Sequence, residues 1–158
     1  MKRNSSNHVF LLSLLLIGCA ESDPTPSFSG WEASVLTNTN GWMKVSEIQT
    51  TGSASVDLFS PNATCVKDNV LTFSGNEYQI AEGVTRCDKS DPTIVDSGTW
   101  ALESGVLTFT PAVGEPYSFT MQKLEKIGWE VAVIEPGSSG SVSRVTTIRF
   151  VAAMTSTI

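Results

Sequence analysis

From residue 41 onward one device recurs: a short segment in which apolar and polar residues alternate, a turn, and another such segment. Successive side chains of a strand point to opposite faces, so this alternation predicts strands with one buried face. "NVLTFSGNEYQIAEG" (69–83) reads as a hairpin, with Leu71 and Phe73 on one face, Tyr78 and Ile80 on one face, and "SGN" as the turn. "DSGTWALESGVLTFTP" (96–111) repeats it, with Trp100 and Leu102 before an "SG" turn and Leu107 and Phe109 after it. "GWMKVSEIQ" (41–49) precedes them, and "YSFTMQKLE" (117–125), "WEVAVIE" (129–135) and "SVSRVTTIRFVAA" (141–153) follow. Pro61, Pro92, Pro111 and Pro136 fall between strands, where a missing N–H does no harm. No stretch keeps a 3.6-residue period. The expectation is an all-β fold of about eight antiparallel strands in an up-and-down meander, closed into a barrel that removes the exposed edges. An open sandwich is the alternative. "ASVDLFSP" (54–61) is expected to form a turn of helix or a loop capping one barrel end.

The front of the chain follows other rules. Lys2 and Arg3 precede an apolar run from Val9 to Ile17, broken only by Ser13, and small Gly18 stands before Cys19. This is the pattern of a secretory signal, and its core is far short of the roughly 20 residues that span a bilayer. "LIGC" resembles the lipobox of bacterial lipoproteins. The resemblance implies that residues 1–18 are removed and that Cys19 carries lipid, giving a stable acyl anchor. "AESDPTPSFSG" (20–30) is too polar and too rich in Ser and Pro to fold, so 19–30 reads as a lipidated tether and 31–158 as the domain. Ala20 after the Cys favours the outer membrane by analogy with lipoprotein sorting, on the periplasmic face or the cell surface.

The remaining cysteines, Cys65 and Cys87, are then an even pair in an oxidising compartment and are expected to form a disulfide. Removing residues 1–18 takes away Lys2 and Arg3 and leaves eight basic against 16 acidic residues. That balance argues against nucleic acid or anionic lipid surfaces as partners. The only histidine, His8, lies in the leader, which excludes Ser-His-Asp and Cys-His catalysis and histidine-bound zinc in the mature chain. Asp88, Asp91 and Asp96 lack the D-x-D-x-D-G calcium pattern and read as a solvated acidic loop. No nucleophile, base and orienting group can be named together, so neither an enzyme nor a cofactor is expected.

Residues 41–109 resemble the lipocalin-like lipoproteins of Bacteroidetes. The shared order is an opening Gly-Trp strand, "VDLFSP", Cys65, "DNVLTF", Tyr78, "EG", Cys87, "SGTWAL" and "GVLTFTP". The family opens on G-x-W, whereas Trp42 here follows Gly41 directly and Met43 takes the usual Trp place. The resemblance implies a small β-barrel on a lipid tether, and in lipocalins such barrels commonly hold small apolar molecules.

Phe73, Tyr78, Trp100, Phe109, Tyr117, Phe119 and Trp129 alternate with polar residues and are the candidate barrel-interior residues. They either line a ligand pocket, with Tyr78 and Tyr117 as its polar handles, or fill the barrel as a solid core. The first arrangement makes the chain a tethered module for an apolar or amphipathic ligand. The second makes it an envelope interaction or structural protein that works through its loops or outer face.

Overall fold

The computed structural model of the chain describes residues 32–137 and 143–153; the leader, Cys19 and the tether lie outside the described residues. In chain order the elements are α1 (Glu32–Thr37), β1 (Trp42–Thr51), β2 (Ala54–Asp57), α2 (Thr64–Lys67), β3 (Val70–Ser74), β4 (Glu77–Ala81), β5 (Ile94–Glu103), β6 (Val106–Pro111), β7 (Tyr117–Glu125), β8 (Gly128–Glu135) and β9 (Arg144–Ala152). The two hairpins read from the sequence form as expected. Gly75 (φ 57°) turns β3 into β4, and Ser104 (φ 50°) with Gly105 (φ 78°) turns β5 into β6. Positive φ at the first central residue of one turn and at both of the other matches the right-handed twist of the flanking strands, which keeps the pairing in register.

Consecutive strands from β3 to β9 pair antiparallel, and β1 pairs with both β3 and β9, which closes an eight-stranded up-and-down barrel. The seam is uneven. β1 runs against β9 from Trp42↔Ala152 to Thr51↔Arg144, with a bulge between Lys44 and Ser46. Against β3 it makes only the pairs Trp42↔Leu71 and Met43↔Val70. Beyond them β1 bends away and takes up β2, from Ile48↔Asp57 to Thr51↔Ala54. The segment 54–61 therefore departs from the sequence expectation: its first half is a ninth strand. Only the part after Asp57 is a loop, pinned by Asp57 Oδ1, which accepts from the backbone N–H of Phe59 and Ser60.

A second departure lies before the first strand. Glu32–Thr37 is a helix whose Leu36 is 1% exposed and packs into the barrel core. It rests against β3 and β7 and covers one barrel end. Six residues are too few to show a 3.6-residue period, so alternation cannot reveal this helix. The register also settles the opening motif. Trp42 is fully buried and Met43 is only half-buried, so Trp42, not Met43, faces the interior. The indole N–H of Trp42 donates to the Leu36 carbonyl oxygen at 2.9 Å, which joins the helix to the first strand.

Large rings fill the half of the barrel beneath α1. Trp42 meets Trp129 edge-on at 6.1 Å, and Phe73 meets Trp100 at 4.7 Å. Leu107, Met121 and Val131 complete this half, each at most 1% exposed. Such aromatic contacts contribute about 0.5–1.5 kcal/mol each beyond the area they bury. At the other end, Cys65 in α2 is bonded to Cys87 in the β4–β5 connection, with Cα atoms 5.1 Å apart and a sequence separation of 22. A closed loop of that length stabilises by about 3 kcal/mol in the chain-entropy model.

Replacing Leu36 by Ala removes the plug's central contact and is expected to destabilise the domain by about 2–5 kcal/mol in urea unfolding. An unchanged midpoint would show that α1 does not belong to the cooperative core.

Candidate functional site

The half of the barrel away from α1 is not filled. Where β1 leaves β3, a cavity of about 280 Å³ opens toward the end that carries α2 and the disulfide. Its floor is Trp42, Leu71 and Phe150; its walls are Ile80, Phe109, Phe119 and Ile148; and its mouth holds Val66 and Val95. The polar side chains in the lining are Lys44, Asn69 and Tyr117. Ligand pockets start near 300 Å³ and combine an apolar lining with a few placed polar groups, so this cavity suits a small molecule. A wider depression of about 640 Å³ lies over the outer faces of β3–β6, bordered by Thr72, Ser74, Gln79, Thr99 and Thr110. It is an open depression of mixed polar and apolar lining, which also includes Tyr78, Pro111 and Ala112.

Pocket and plug were rival readings of the seven aromatic residues, and they divide between both. Phe109, Tyr117 and Phe119 line the cavity. Phe73, Trp100 and Trp129 belong to the packed half, and Trp129 stacks on Phe150 at 3.9 Å, 9° between planes, just below the cavity floor. Tyr78 is 1% exposed and packs edge-on against Phe109 at 4.8 Å. Phe109 in turn stacks on Tyr117 at 5.3 Å.

The two tyrosines expected as polar handles turn their hydroxyls to the same group, and of the two Tyr117 lines the cavity. Tyr78 Oη donates to Asp96 Oδ2 at 2.8 Å, and Tyr117 Oη reaches the same oxygen at 3.5 Å. Asp96 thus departs from the acidic-loop expectation. It lies in β5 opposite Ile80, a cavity-wall residue, and shares its inward face. Asp88 behaves as a loop residue, accepting from the Ser90 N–H at 2.8 Å. Gly98, two residues on from Asp96, admits no side chain, since a Cβ there would lie 2.1 Å from the Thr110 carbonyl oxygen. That close approach of β5 to β6 leaves room for the Tyr78 ring, whose strand partner is Gly98.

Across the cavity, Lys44 Nζ bonds Glu47 Oε2 at 2.8 Å and lies 5.8 Å from the Phe59 ring centroid. Lys67 Nζ sits at 5.7 Å from the same ring and donates to the Ser60 carbonyl oxygen. These contacts bring the post-β2 loop over the gap between β1 and β3. Asn69 Oδ1 is buried without a hydrogen-bond partner. Among the described residues, no cluster of three or more His, Cys, Asp or Glu side chains is placed to hold a metal ion.

Lys44, Asn69, Ile148 and Phe150 were not singled out from sequence. The alternation of Ile148, Phe150 and Ala152 marks them as inward, but nothing local tells a cavity wall from a core contact. No protein-family model matches this chain, and no curated protein sequence is significantly similar to it.

Burial raises the Tyr78 pKa well above the ordinary value of 10.0, with its hydrogen bond to Asp96 acting in the same direction; burial also raises that of Tyr117. The folded state therefore holds its phenolic protons more tightly than the unfolded chain does. The resulting stabilisation is complete below pH 10 and is lost as pH rises above it. The protein has two tyrosines, so absorbance at 295 nm reads this site alone. On alkaline titration the Tyr78 signal is expected to appear only together with loss of the fold. A full two-tyrosine transition centred at pH 10, with the fold intact, would contradict the geometry.

Proposed function

We propose that the chain is a membrane-tethered, lipocalin-like binding module that holds a small apolar or amphipathic molecule in the open half of its barrel. The observation that carries this reading is the cavity of about 280 Å³ between Leu71, Phe119, Ile148 and Phe150, walled by apolar side chains and entered from one end. Affinity would come from apolar burial, at about 25 cal/mol per Å² of surface removed from water, without covalent chemistry. The closed meander barrel and the disulfide between Cys65 and Cys87 support kinship with the lipocalin-like lipoproteins that the sequence resembles. In this reading Cys19 bears the lipid, and the domain sits in the bacterial envelope on its 19–30 tether, at the outer membrane.

The covered end fits that arrangement. α1, the first described element, lies on the filled end of the barrel, away from the mouth.

Both parts of the proposal meet in one experiment. The wild-type chain and a Cys19→Ser variant are expressed with export intact and fractionated. The variant is expected to move from the membrane to the soluble fraction, and native mass spectrometry of it to show an added small-molecule mass that leaves on denaturation. A variant that stays with membranes contradicts the lipid anchor. A bare mass that persists after incubation with envelope lipid extract contradicts the binding module.

A further inference from the structure

We infer that the cavity takes an amphiphile with an anionic head group, whose apolar body lies on the floor and whose head is held at the rim by the ammonium of Lys44. This rests on the reading of the cavity as a binding site and adds the charge of its occupant.

Lys44 is the only charged side chain in the lining. It pairs across the seam with Phe150 and stands two residues beyond Trp42 in β1, so it shares the inward face of these two floor residues. Its apolar stem covers part of the wall, and its ammonium reaches the rim, where Nζ lies 5.8 Å from the Phe59 ring centroid. Lys67 Nζ lies 5.7 Å from the same ring. Two ammonium groups therefore stand beside the loop that bridges the gap between β1 and β3. Lys44 uses one N–H on Glu47 Oε2 at 2.8 Å. An ammonium carries three donors, which leaves two for a ligand. Among the described residues Lys67 forms no ion pair; it donates to the Ser60 carbonyl oxygen, a neutral group.

The carboxylates at this end lie outside the lining and are engaged. Asp57 Oδ1 accepts from the Phe59 and Ser60 N–H groups, and its Oδ2 from the Ser60 hydroxyl. Asp96 Oδ2 accepts from Tyr78, and Glu82 Oε2 pairs with Arg86 Nε at 3.3 Å. An ammonium head group would meet Lys44 as a like charge, with no anion in the lining to receive it. A hydroxyl head group would fit without charge on the ligand side. An anionic head group meets opposite charge and open donors, and a hydrogen bond between two ionised groups is stronger than one between neutral groups. The apolar walls strengthen that attraction, because they lower the local dielectric below that of water. The size of the site limits the apolar part: 280 Å³ is the volume of roughly nine waters at about 30 Å³ each, so a chain of about that many heavy atoms fits.

The test compares octanoate, octanol and octylamine, which share one chain and differ in head group. Each is titrated into the Cys19→Ser protein at neutral pH and low ionic strength. Trp42, on the cavity floor, supplies the fluorescence change. Octanoate is expected to bind at least about tenfold tighter than octanol, with octylamine weakest, as one charge-assisted hydrogen bond allows. Lys44→Met keeps the length of the stem and removes the charge; it should abolish the preference for octanoate over octanol. Glu47→Gln releases the Lys44 ammonium from its partner and should raise that preference severalfold. Octylamine or octanol binding as tightly as octanoate overturns the inference while leaving the binding module in place. A preference that survives Lys44→Met in a folded variant, or that Glu47→Gln fails to raise, overturns it as well. Binding of none of the three overturns both. Should Lys44→Met not fold, salt decides on the protein with Lys44 intact: added salt should weaken octanoate and spare octanol, and an octanoate affinity indifferent to salt overturns the inference.

Discussion

One hydrogen bond joins the parts of this molecule: the indole N–H of Trp42 to the carbonyl oxygen of Leu36. Trp42 pairs with Leu71 on one side and Ala152 on the other, so its backbone is the point where the barrel closes. Its ring meets Trp129 in the filled half and forms the floor of the cavity in the open half. A buried Trp brings a polar atom into the core, and that atom costs stability unless it finds an acceptor. Leu36 supplies one only because α1 folds over the barrel end. The plug, the seam and the floor of the cavity therefore depend on the same residue.

The cavity follows from the uneven seam. A closed antiparallel barrel of eight strands has an interior that side chains can just fill. Here β1 holds β9 along its whole length but leaves β3 after two pairs and bonds β2 instead. The bulge at Lys44–Ser46 bends β1 outward where the rings of the filled half end. The gap is bridged by the loop after β2, by α2 and by the disulfide, none of which places a large side chain inside the barrel. The large rings are thus concentrated at one end and space at the other. Beside the open half, the hydroxyls of Tyr78 and Tyr117 both turn to Asp96.

Much of this was legible in the sequence, and the failures have physical causes. Alternation located the strands from β3 to β9, because a half-buried strand must alternate, and the "SG" turns fixed two hairpin registers. The disulfide followed from compartment and count. The alternation could not separate plug from pocket: Phe73 and Phe119 have the same local pattern, and only the splay of β1 from β3 leaves one against Trp100 and the other beside empty space. α1 was missed because a single turn and a half carries no period. Asp96 was misread because it follows the acidic loop in sequence, although its pairing with Ile80 turns it inward. β2 was missed because its four residues are all exposed and carry no buried face.

The central claim is that one half of the barrel is solid and the other holds an apolar cavity. Xenon tests it without knowledge of the ligand, since it enters apolar voids and leaves filled cores alone. Crystals of the Cys19→Ser protein under xenon pressure should show xenon density between Leu71, Phe119, Ile148 and Phe150 and none among Phe73, Trp100 and Trp129. A barrel free of xenon in its open half, or xenon among the rings beneath α1, would contradict the division on which the functional reading stands.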